Sequence, residues 1–213
     1  MTERLYNRRF TIFLISFLIT LFGNLMFPER IRENAETVLL LQNMLFGILL
    51  FKRQSKSEMV FISVIVLLAV VARFNRYYME QNSPFIFAGI YVIYFSMISF
   101  RLFLDIRQQR VVGIETISGV FCGFILLSFM SSILFVSLDS TLKAFSGPTD
   151  NRAFSDFLYF SFITLLTIGY GDITPTTEIS KRLVVFVGLL GHFYTVFVTA
   201  IIVGKYLSRY RSQ

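Results

Sequence analysis

The chain is 213 residues long, 55% hydrophobic and only 15% charged, with a formal net charge of +7. A soluble domain carries about a quarter charged residues, so these proportions exclude a water-covered globule and indicate a polytopic membrane protein whose main solvent is lipid. The basic residues sit between apolar runs rather than on a soluble stripe, which argues against a nucleic-acid partner, and the single Cys122 excludes an intramolecular disulfide or a cysteine-based zinc site.

Arg4, Arg8 and Arg9 precede an apolar run from Phe10 to Phe27. This run is longer than a signal-peptide core and no small-x-small cleavage site follows it, so it reads as a retained first span starting in the cytoplasm. A polar segment, Pro28 to Thr37, leads to a second run at Val38 to Phe51, which nears spanning length when Ala35 to Thr37 are added. Lys52, Arg53 and Lys56 form a basic loop before a third run, Met59 to Ala72, with Arg73 and Arg76 beside Tyr77 and Tyr78 at its end. Asn82-Ser83-Pro84 signals a turn, and Phe85 to Phe100 is the fourth span. Arg101, Asp105, Arg107 and Arg110 then precede a long fifth span, Val111 to Leu138, with Glu115 near its start.

Asp139 to Arg152 is polar and contains the turn pair Gly147-Pro148. The apolar stretch Phe154 to Leu166 is too short to cross a bilayer, so a re-entrant segment is expected there. Leu183 to Val203 is the sixth span, and Lys205, Arg209 and Arg211 lie near the end of the sequence. With the amino terminus inside, the inside segments Met1 to Arg9, Lys52 to Ser57, Arg101 to Arg110 and Lys205 onward are all net positive. Only Arg73 and Arg76 oppose the pattern, and the re-entrant segment falls on the outside face.

After the re-entrant segment comes Thr167-Ile168-Gly169-Tyr170-Gly171-Asp172. A cation leaving water needs replacement oxygens that are dipolar but not anionic, and backbone carbonyls meet that need. Aiming successive carbonyls at one axis requires alternate left-handed dihedrals, which are cheap only for glycine. Glycine occupies alternate positions here.

The run Thr167 to Gly171 resembles the selectivity-filter signature of the potassium channel family. The resemblance implies that the carbonyls of Thr167, Ile168, Gly169 and Tyr170, with the Thr167 hydroxyl, ligate K+. It also implies that Gly171 and Asp172 form the outer mouth, and that Thr164 matches a threonine common in the pore helix. A single filter strand cannot surround an ion, so several chains must assemble around an axis, and the resemblance implies a homotetramer. Ile163 stands where some members carry a glutamate, and Tyr159-Phe160 where many carry tryptophans, so Asp172 lacks an obvious carboxyl or indole partner.

The expected fold is an all-α membrane protein with six transmembrane helices, a re-entrant pore helix and a filter loop, in a tetrameric architecture. Residues 1–110 are expected to form a four-span sensor-like or scaffolding domain. Residues 111–208 form the pore domain, with pore helix 154–166, filter 167–171 and inner helix 182–204, and a tail at 209–213. Gly188 and Gly191 are candidate hinges of the inner helix, with close packing as the competing reading, and His192 is a polar helix contact rather than a pH sensor. The fourth span has no charge between Pro84 and Phe100, unlike the arginine repeat of voltage-gated relatives, so steep voltage gating is not expected.

The expected function is a K+-selective channel of the cell membrane, multi-pass, with both termini cytoplasmic, K+ as permeant ion and lipid as surroundings. No organic cofactor, nucleic acid or enzymatic step is expected, because one His, one Cys and almost no intramembrane carboxylate cannot build a catalytic set. A less selective monovalent cation channel and a non-conducting channel subunit are the alternatives.

Overall fold

The computed structural model describes residues 8–23, 28–48, 60, 63–64, 66–67, 84–108, 113–147 and 153–210. Among the described residues eight elements follow one another: α1 (Arg9–Gly23), α2 (Glu29–Ile48), α3 (Pro84–Gln108), α4 (Ile114–Leu142), β1 (Phe145–Ser146), α5 (Ala153–Leu165), β2 (Thr174–Pro175) and α6 (Glu178–Tyr210). Among the described residues, three helices are long and apolar enough to cross a membrane: α3 over Ala88–Gln108, α4, and α6 over Glu178–Gly204. These correspond to the expected fourth, fifth and sixth spans. The apolar helices Arg9–Gly23 and Val38–Gly47, at the expected first and second spans, are shorter. The third run, Met59 to Ala72, falls almost wholly outside the described residues.

Several helices extend beyond their apolar runs for local reasons. α2 begins at Glu29, directly after Pro28, and takes in the polar stretch, whose Glu, Arg and Ala residues are good helix formers. α3 continues through Arg101 to Gln108, and Arg101 pairs with Asp105 one turn on at 3.1 Å. α6 starts at Glu178 because Thr177 caps it. The Ser180 amide donates to Thr177 Oγ1 at 3.2 Å, while the Thr177 amide donates back to Ser180 Oγ at 3.1 Å. α4 ends where Lys143 turns left-handed (φ 46°), with its amide donating to the Asp139 carbonyl at 2.8 Å.

The chain forms two compact units, 1–80 with 96–123, and 81–95 with 124–213. In the first, α1 packs on α2 with Phe10, Phe13, Phe17 and Met44 fully buried. Polar groups join the two helices. Ser16 Oγ donates to Asn43 Oδ1 at 2.5 Å, and Asn43 Nδ2 donates to Thr20 Oγ1 at 2.7 Å. The same unit holds a charged cluster in which buried Asp105 accepts from Arg9 at 3.0 Å and pairs with Arg101 at 3.1 Å. Nearby, Glu115 accepts from the Phe10 amide at 3.2 Å and from the Thr11 hydroxyl at 2.5 Å.

The second unit is built around aromatic rings. Phe135 of α4, Phe145 of β1, and Phe157 and Phe160 of α5 meet at centroid distances of 5.0 to 6.2 Å. Ile163, Leu165, Ile173 and Val187 complete this core. β1 and β2 pair antiparallel, Phe145 opposite Pro175 and Ser146 opposite Thr174.

Candidate ion-conduction site

α5 is 13 residues long, about 20 Å at 1.5 Å rise per residue, short of a bilayer core of about 30 Å. Its aromatic and aliphatic residues Phe157, Phe160, Ile163 and Leu165 are buried, fixing the helix against α4, β1 and α6 within the second unit. The helix spans Ala153 to Leu165, one residue earlier at each end than the sequence indicates.

Beyond Leu165 the chain folds back on the helix end. The Thr167 amide donates to the Thr164 carbonyl at 3.1 Å, and the amides of Ile168 and Gly169 share the Ile163 carbonyl at 2.8 and 3.2 Å. From there the backbone alternates. Thr167 (φ 58°), Gly169 (φ 59°) and Gly171 (φ 79°) are left-handed, whereas Ile168 and Tyr170 are not. Glycine makes this conformation cheap at two of the three positions, and at Thr167 a side chain is held in it at a cost of about 1–2 kcal/mol.

The consequence lies in what the carbonyls do. Amides of this strand turn back to α5, and among the described residues no donor is bonded to the carbonyl oxygens of Thr167, Ile168, Gly169 or Tyr170. Four successive oxygen dipoles without partners are a set that a partly dehydrated cation satisfies. In the single chain, Ile168 and Tyr170 are 49% and 72% exposed, and Phe186, Phe193 and Phe197 of α6 are exposed as well. Surface of this kind is expected where further chains or lipid complete the structure.

The remaining predicted residues fall around this strand. Thr164 is half-buried and supplies the carbonyl that receives the Thr167 amide. Ile163 is buried behind the strand, so an apolar side chain and not a carboxylate fills that position. Asp172 is exposed, and its carboxylate accepts a hydrogen bond from the Tyr159 hydroxyl, which raises the Tyr159 pKa above its ordinary value. Sequence reasoning missed this partner because it sought an indole or a carboxyl, whereas a phenol at the same place also donates.

Of the two α6 glycines expected as hinges, Gly191 meets α5. A Cβ there would lie 2.6 Å from Leu165 Cδ2 and 3.2 Å from its Cα and carbonyl oxygen, whereas a Cβ on Gly188 would meet nothing within 4 Å. His192 is exposed on the single chain. Thr195 and Thr199, also exposed on α6, return their hydroxyls to the carbonyls of Gly191 and Thr195 at 3.0 and 2.8 Å.

Residues 123–208 match the family model described as an ion channel. The chain is 28% identical over 138 residues to a hyperpolarization-activated voltage-gated potassium channel of Methanocaldococcus jannaschii, covering 53% of this chain and 64% of that one. It is 40% identical over 62 residues to two pore potassium channel c of Oryza sativa subsp. japonica, covering 29% of this chain and 13% of the relative. It is also 31% identical over 105 residues to a small conductance calcium-activated potassium channel-like protein 3 of Caenorhabditis elegans, 49% and 14% of the two chains. In each case the chain spans less than two thirds of the relative's length. No solved structure matches. The matched family and these relatives are ion channels, which are not enzymes.

Proposed function

We propose that the chain is a subunit of a potassium-selective channel in which K+ crosses passively through a filter formed by the carbonyls of Thr167, Ile168, Gly169 and Tyr170. The observation that carries this reading is the run of four carbonyl oxygens without hydrogen-bond donors, on a backbone whose left-handed residues are Thr167, Gly169 and Gly171. The similarity of residues 123–208 to an ion-channel family and the potassium-channel relatives support it. Four copies around an axis supply enough oxygens to replace a hydration shell, and the exposed apolar face of α6 suits such an assembly. The pore helix directs the negative end of its dipole toward the strand, adding a cation preference.

Six spans with both termini in the cytoplasm, and four spans acting as a sensor-like or scaffolding domain before the pore, belong to the same proposal. Steep voltage gating does not. α3 has no charged residue before Arg101, and Arg73 and Arg76 lie outside the described residues. Purified protein in liposomes tests the reading through bi-ionic reversal potentials for K+ against Na+. A strong K+ preference, abolished in Gly169→Ala because a Cβ strains the left-handed position at every subunit, is expected. Equal permeation of both ions favours the less selective cation channel, and no flux from the protein alone favours a non-conducting subunit.

A further inference from the structure

We propose that Lys143 to Gly147, the segment linking α4 to the outer mouth, is a brace that holds the outer end of the filter, with Gly147 as the positioning residue for Asp172. The proposal rests on the filter reading above and adds to it the element that restrains the strand.

The brace is anchored at both ends and in its middle. At its start the Lys143 amide donates to the Asp139 carbonyl at 2.8 Å, and Asp139 Oδ1 accepts from the Phe145 amide at 3.0 Å. In the middle, the Phe145 ring sits 5.4 Å from Phe135, 5.0 Å from Phe157 and 5.7 Å from Phe160, tying it to α4 and the pore helix at once. Its backbone pairs with the strand leaving the filter, Phe145 opposite Pro175 and Ser146 opposite Thr174. The buried Ala144 carbonyl accepts from the Thr176 amide at 2.9 Å and from Ser180 Oγ at 2.8 Å.

Gly147 closes the arrangement. Its φ is +110°, and a Cβ would lie 2.3 Å from the Asp172 carbonyl oxygen and 3.2 Å from Ile173 Cα. The Gly147 backbone is therefore packed on the peptide between Asp172 and Ile173. Asp172 is held from two sides, its main chain against Gly147 and its carboxylate by Tyr159. Because peptide planes are rigid, a shift of the Asp172 carbonyl is taken up in the dihedrals of Asp172 and Gly171, the two residues between it and the Tyr170 carbonyl. Gly171 offers little resistance of its own, since glycine moves freely among backbone regions. Restraint of the outer carbonyls then falls to the brace and to the bound ion.

Loosening the brace therefore raises the rate at which the filter leaves its conducting form, and external K+ counters this by binding the conducting form. The test is single-channel and macroscopic recording of the full chain in planar bilayers, comparing wild type, Gly147→Ala, Asp139→Ala and the control Gly89→Ala. Gly89 lies in α3, where a Cβ meets nothing within 4 Å. Asp139→Ala removes the anchor of the Phe145 amide without adding an atom, and a carboxylate near a helix C-terminus does not stabilise that helix.

Gly147→Ala is expected to speed current decay at low external K+ by on the order of tenfold, equivalent to about 1.4 kcal/mol of lost restraint. Asp139→Ala should act in the same direction, and raising external K+ should slow the decay in both. Should Gly147→Ala not assemble, Asp139→Ala decides alone. Variants that conduct and decay like wild type and Gly89→Ala overturn the brace, as does fast decay that external K+ leaves unchanged. A wild type that passes no K+ overturns the filter reading and the brace together, whereas a conducting wild type with indifferent variants overturns the brace only.

Discussion

Gly191 and Gly188 lie three residues apart on α6 and should respond to alanine with opposite signs. At Gly191 a new Cβ sits 2.6 Å from Leu165 Cδ2 and 3.2 Å from Leu165 backbone atoms. The first distance falls roughly an ångström short of ordinary carbon contact at 3.5–4.0 Å. Overpacking of this kind costs about 1–3 kcal/mol, offset by up to ~1 kcal/mol from the better helix propensity of alanine. At Gly188, where nothing lies within 4 Å, only the propensity gain remains, up to ~1 kcal/mol. Leu165→Ala alone should cost about 2–5 kcal/mol, because that side chain is only 3% exposed. It also deletes the atom that Gly191→Ala strikes, so the double variant should cost about 1–2 kcal/mol less than the sum of the two. Unfolding of the purified protein in mixed micelles, with K+ flux measured in parallel, gives the cycle. Additive energies, or a Gly191→Ala variant as stable as Gly188→Ala, would falsify the close-packing account and return Gly191 to its role as a hinge.

Asp105→Asn should destabilise the first unit by about 3 kcal/mol in the same unfolding assay, since it leaves the largely buried guanidinium groups of Arg9 and Arg101 without their shared carboxylate. Breaking the exposed Glu178–Arg182 pair, by contrast, should cost less than about 0.5 kcal/mol. Asn43→Leu should cost about 1–2 kcal/mol by the same assay, from loss of the fully buried bonds to Ser16 and Thr20. Tyr159→Phe keeps the ring and removes the donor to Asp172, so faster current decay with unchanged assembly is expected. The raised Tyr159 pKa gives this bond a pH signature. Its contribution is present below the ordinary tyrosine value of about 10 and is lost as pH rises from there through the raised value, a decline that should be absent from Tyr159→Phe.

The parts of the site legible in the sequence are those that use a residue type with a single physical meaning. Gly169 and Gly171 announce left-handed backbone, and both adopt it. Thr167 adopts it as well, with nothing in its chemistry to say so, because its own amide bonds to Thr164 and the amides of Ile168 and Gly169 bond to Ile163. Phe154 to Leu166 was readable as a short helix from its length and apolarity, and α5 follows within one residue. α6 starts at Glu178, four residues before the expected 182, because Thr177 caps it, and Thr-x-x-Ser is a readable cap. β1 was not legible at all. Two residues carry no alternation, and only the Phe cage and the β2 backbone make Phe145-Ser146 a strand. Asp105 was visible as a charge in a basic loop, yet its burial between Arg9 and Arg101 depends on residues 96 positions apart in sequence.

The cage formed by Phe135, Phe145, Phe157 and Phe160 contains no hydroxyl, indole or titratable group. Nothing in those rings takes up a proton, and nothing in them gives a water molecule reason to enter. The stiffness they lend to the wall formed by α4, β1 and α5 is therefore a property of contact and shape alone. Alkali acts on the hydrogen bond between Tyr159 and Asp172 but leaves that wall untouched, so temperature and the volume of the four side chains are the variables that soften it.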